Sequence, residues 1–103
     1  MAKGLQSWTV KESGAPVTSA EIKTASGSSA TAVSFSSTTR GMMGATAPST
    51  TQNLTLTLAG GGTLVIPGAA VAAVFAPGGI VPFACDSFVF SGDESAFQVV
   101  GLF

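Results

Sequence analysis

The sequence predicts a small all-β domain, a compact sandwich or barrel of seven or eight short strands with no substantial helix. Three observations point there. Residues 53–59 read N-L-T-L-T-L-A, a strict alternation that puts Leu54, Leu56 and Leu58 on one face and Thr55 and Thr57 on the other. Proline and glycine recur so often after residue 59 that no apolar run reaches helical length. Between these breaks lie short clusters rich in Val, Ile, Phe and Thr, the residue types that fit a pleated, half-buried surface.

The elements follow in order. Residues 7–11 (S-W-T-V-K) and 21–25 (E-I-K-T-A) are expected as short edge strands, separated by Ser13, Gly14 and Pro16. A Gly/Ser loop over 26–29 leads to an alternating strand at 32–36, with Ala32, Ser34 and Ser36 on one face and Val33 and Phe35 on the other. R-G-M-M-G at 40–44 is assigned no element and is followed by a polar Ala/Pro/Ser/Thr loop running to Gln52. Gly60, Gly61 and Gly62 reverse the chain after the 53–59 strand, because glycine reaches positive φ at low steric cost, and 63–66 (T-L-V-I) returns as the hairpin partner up to Pro67. Residues 71–75 (V-A-A-V-F), bracketed by Pro67-Gly68 and Pro77-Gly78-Gly79, are too short for a stable helix. Residues 80–85 and 87–90 make one long strand or two short ones, with Asp86 at a bend or bulge. After the turn at 91–95 (S-G-D-E-S), residues 97–103 form the last strand.

At 103 residues there is room for one domain. More than half of the chain is Ala, Gly, Ser or Thr, so seven Phe and the Leu, Ile, Val and Trp8 must supply most of the burial. Residues 1–37 are expected as an N-terminal arm ordered by partners, and 38–103 as the sandwich or barrel core. Charged residues are only 9%, against about a quarter in an ordinary soluble domain. None falls between Gly41 and Cys85, so that interval is expected to hold the core and much of any subunit contact, with the charged flanks in solvent. A net charge of -1 with four scattered cations gives no footprint for nucleic acid. The uncharged window 64–84 is long enough to raise a membrane helix, but Pro67, Gly68, Pro77, Gly78, Gly79 and Pro82 would leave its backbone unpaired in lipid. The N-terminus lacks the apolar run and cleavage site of a signal peptide, so secretion is not expected.

The chemistry of catalysis is thin. There is no His and no Tyr, which removes the usual general base at neutral pH and the commonest transition-metal ligand. Thirteen serines come without a G-x-S-x-G elbow, and the glycine run lacks the Lys-Ser/Thr of a phosphate loop. No catalytic residue, no cofactor and no metal are therefore expected, and Asp93 and Glu94 read as a solvated turn rather than a calcium loop. Cys85, alone, reads as a small buried hydrophobe. Phe88 and Phe90, two residues apart, read as core. Asn53-Leu54-Thr55 matches a glycosylation acceptor, which matters only after secretion.

The order of motifs resembles a family. T-T-R-G-M-M-G (38–44), N-L-T-L-T-L-A-G-G-G-T-L-V-I-P-G (53–68), G-G-I-V-P-F (78–83) and F-Q-V-V-G-L-F (97–103) are similar to the small head spike base or capsid decoration proteins of tailed phages and gene transfer agents. Those proteins show T-R-G-L-Y-V-G, D-L-T-V-T-L-A-G-G, a proline-bounded return strand, G-x-x-L-P and a closing I-V-A-L-Y. The resemblance spans 38–103. The chain departs from it after Phe83, where Ala84, Cys85, Asp86 and Ser87 stand in place of a basic strand, and 71–76 is more apolar. The resemblance implies a non-enzymatic virion protein assembled in the host cytoplasm, a homo-oligomer bound to capsid or to spike and fibre proteins. Trp8, Met42, Met43, Val71, Val74 and Phe75 are the expected interface residues. The alternatives are a tail or neck component, or a carbohydrate-binding host-attachment module, for which one Trp and no Tyr are poor provision.

Overall fold

The computed structural model describes residues 17–28 and 31–103. The strand expected at 7–11, and Trp8 with it, lie outside those residues. Among these residues, eight strands and one short helix follow in the order β1 (Ala20–Thr24), β2 (Val33–Ser34), β3 (Gly41–Thr46), β4 (Leu54–Leu58), β5 (Thr63–Ile66), α1 (Gly68–Val74), β6 (Ile80–Val81), β7 (Cys85–Phe90) and β8 (Gln98–Leu102). They make two antiparallel four-stranded sheets, β1-β8-β3-β6 and β2-β7-β4-β5, packed as a sandwich around one core.

The alternation at 53–59 does what it predicts. Leu54 and Leu56 are fully buried, Leu58 packs at the margin, and the hairpin to β5 pairs Leu54 with Ile66 and Leu56 with Leu64. Gly60 and Gly61 close the turn at φ 88° and 91°, and the Leu58 N–H donates to the Gly62 carbonyl at 2.7 Å. Asp86 sits at a bulge: Thr57 pairs with Ser87 but Leu58 pairs with Cys85, leaving Asp86 as the extra residue on β7. Its carbonyl accepts from the Phe35 N–H, and its carboxylate from the Thr38 hydroxyl.

The structure revises three readings. The R-G-M-M-G stretch, to which the sequence assigned no element, is β3, a central strand flanked by β8 and β6. Its glycines hid it, because glycine contributes no apolar periodicity; here Gly44 is needed because a Cβ would meet the carbonyls of Phe75 and Ala76. Residues 80–90 are two strands rather than one, but they part at Pro82 and not at Asp86: the first is only Ile80–Val81, and β7 begins at Cys85. Finally, 71–75 belongs to a helical turn: α1 runs seven residues, and Phe75 caps it with its N–H on the Val71 carbonyl. Burial of Val71 and Phe75, with the Gly68 N–H donating to Asn53 Oδ1 at 2.8 Å, holds a helix too short to stand alone.

Phe97, just before β8, centres the core. Its ring meets those of Phe90, Phe75 and Phe88 at centroid distances of 5.1, 5.6 and 5.7 Å, each edge-on. Such pairs add about 0.5–1.5 kcal/mol each beyond the area they bury. Phe88, Phe90, Phe97 and Val99 lie beyond the charge-free interval, so that interval holds only part of the core.

Candidate functional site

The outward face of the β1-β8-β3-β6 sheet is built by alternation. Val99 is buried in the core, so Gln98 and Val100 point the other way. Register then aligns Ile22, Val100, Met43 and Ile80 in one row across all four strands. Ile22 is 58% exposed and Ile80 38%, with Val100 and Met43 half-buried between them. A second row, Thr24, Gln98 and Thr46, is polar and self-satisfied: the Gln98 amide donates to Thr24 Oγ1 at 3.1 Å and accepts from the Thr46 hydroxyl at 2.8 Å. Neither row contains a charge.

The charges on β1 take the opposite side. Glu21 and Lys23 pair in register with Gly101 and Val99 and so share the core-facing side, where they approach each other at 3.9 Å. The Ser36 N–H donates to Glu21 Oε1 at 3.0 Å and is the main cause holding that carboxyl below its ordinary range. The E-I-K-T pattern thus faces its isoleucine outward, the reverse of the usual assignment.

Of the expected interface residues, Met42, Val71 and Phe75 are fully buried in the core and offer no surface. Their positions pair with the interior: Met42 lies opposite Gly101, and Phe75 meets Phe97 and Phe83 edge-on. Val74 packs against the core margin, and Met43 alone falls in the outward row. Ile22, Val100 and Ile80 were not singled out by the sequence, because alternation defines two faces without saying which is covered.

The second unforeseen feature is Glu94. Expected in a solvated turn, it is only 3% exposed. Its carboxylate accepts from the Ser49 N–H and hydroxyl (both 3.0 Å), the Thr50 N–H (2.8 Å) and hydroxyl (2.6 Å), and the N–H groups of Ala96 (2.9 Å) and Phe97 (3.2 Å). Burial pushes its pKa up, but these hydrogen bonds outweigh it and hold the group at about 2. With both oxygens committed to donors, Glu94 ties the 47–53 loop to the last turn and has no lone pair to spare for a cation. A sequence signal existed only in hindsight: Ser49-Thr50 is a pair of donors far away in the chain.

Cys85 is buried as expected. Desolvation leads in pushing its thiol up to about 11, and its Sγ–H points at the Ser87 carbonyl at 3.1 Å. Among the described residues no group of three His, Cys, Asp or Glu is placed to hold a metal ion, and no helix is long and apolar enough to cross a membrane. Comparison with protein families, curated proteins and solved structures finds no match.

Proposed function

We propose that this chain is a non-enzymatic structural subunit of a phage-like virion, a capsid decoration or head spike-base protein that docks on the head as an oligomer. The observation that carries this is the outward row Ile22, Val100, Met43 and Ile80, an uncharged apolar stripe bordered by a neutral Thr-Gln-Thr row. Such a surface matches the centre of a protein interface, which is depleted of charge, and gives nothing to phosphate or to an ionic ligand. The motif order described above supplies the virion context. Docking on the capsid then rests on apolar burial with neutral hydrogen bonds around it, so affinity changes little with salt.

The test is co-sedimentation of the purified chain with isolated heads from the parent particle, at low and high salt. Binding at both salts, lost in Ile22→Lys, supports the reading. No binding, or binding that Ile22→Lys leaves unchanged, sinks it.

A further inference from the structure

Each sheet has two edges, and an exposed edge is a template for pairing unless something blunts it. Three of the four are blunted. β2 and β6 are two residues long, and β1 carries the inward-pointing Glu21 and Lys23. β5 is the exception: four residues, T-L-V-I, with no charge, no proline and no bulge, and its single neighbour among the described residues is β4.

The alternation of the ladder says which groups on β5 are unpaired. The Leu58 N–H bonds the Gly62 carbonyl, so 58 and 62 are a hydrogen-bonded pair, as are 56 with 64 and 54 with 66. Leu64 and Ile66 therefore spend their backbone groups on β4. Thr63 and Val65 direct theirs outward, and Val65 is 54% exposed. The pairable stretch is closed at one end by the glycine turn and at the other by Pro67, which has no N–H to offer.

The geometry points to β5 as the self-association edge, pairing antiparallel with β5 of a second copy about a two-fold axis opposite Leu64. That register sets Thr63 against Val65 of the second copy and the reverse, making four backbone hydrogen bonds that use every outward group of both strands. A two-fold copy matches the stretch end to end, whereas a longer peptide would meet the turn and the proline. No like charges oppose, because residues 41–85 carry none. Two four-stranded sheets would become one of eight strands. The inference rests on the assembly reading above and assigns its self-contact to a different surface from the capsid contact.

The experiment is sedimentation velocity on the full chain over a concentration series, with Val65→Pro and Val65→Lys. Proline at 65 removes an outward N–H from each copy and none from the β4 ladder; lysine sets a charge on the edge and keeps every backbone group. Wild-type chain self-associates with rising concentration, and each variant raises the dissociation constant about tenfold or more, with circular dichroism and melting midpoint kept. Should Val65→Pro unfold, Val65→Lys decides. Variants that associate like wild type overturn the edge while leaving capsid docking intact. A wild type that stays monomeric overturns the edge and the oligomer together. Loss of docking in Ile22→Lys with self-association unchanged separates the two surfaces.

Discussion

Replacing Glu94 by alanine tests the least expected contact in the molecule. The substitution strips the acceptor from four backbone N–H groups, those of Ser49, Thr50, Ala96 and Phe97, and from two hydroxyls. The hydroxyls can turn to other partners or water; the backbone donors at a buried site have fewer choices. Two routes give the size of the loss. A hydrogen bond to a charged group contributes about 1.5–3 kcal/mol, so two or three that are not replaced reach about 3–6 kcal/mol. The drop in pKa from 4.5 to about 2 corresponds to about 3 kcal/mol in favour of the folded, ionised form. We expect about 3 kcal/mol at pH 7, a large share of the 5–15 kcal/mol typical of a domain. The melting midpoint should fall on the order of 15 °C. Glu94→Gln keeps the volume but turns one acceptor into a donor facing other donors, so it should recover little. The pH dependence has a defined sign. Because the folded pKa is depressed, the contribution is complete above about 4.5 and fades as pH falls towards about 2. Wild type and Glu94→Ala should therefore converge in stability near pH 2. Urea or thermal unfolding followed by far-ultraviolet circular dichroism, from pH 7 to pH 2, reads all of this. A loss below about 1 kcal/mol at pH 7, or a gap that does not close at low pH, would refute the reasoning.

Other outcomes follow from the same structure. Gly44→Ala forces a Cβ into the backbone carbonyls of Phe75 and Ala76 and should cost about 2–4 kcal/mol, whereas Gly62→Ala, with open space around it, should stay within about 0.5 kcal/mol; paired thermal melts compare them. Phe97→Ala removes the ring that three other Phe rings meet and should cost about 3–5 kcal/mol in urea unfolding. Cys85, buried with its pKa at about 11, should resist iodoacetamide at pH 8 in the folded chain and react readily in denaturant, which mass spectrometry of the alkylated protein measures. Ile22→Lys should leave the melting midpoint within a few degrees, since Ile22 is already mostly in water.

What was legible in the sequence was local. The 53–59 alternation, the glycine turn and Pro67 place a hairpin without help from the rest of the chain, because strand period and turn chemistry act between near neighbours. The all-β class, the buried Cys85 and the core pair Phe88 and Phe90 follow from the same short-range signals. Tertiary structure decided three further matters. β3 is a strand because β8 and β6 pair with it on both sides, which outweighs the low strand propensity of its glycines. Glu94 is buried because Ser49 and Thr50, more than forty positions away, supply donors that compensate its desolvation. The outward row exists only through register: Ile22, Val100, Met43 and Ile80 come from four separate segments, and nothing within any one of them tells which face the second sheet will cover. Period two divides residues into faces; only packing names the inside.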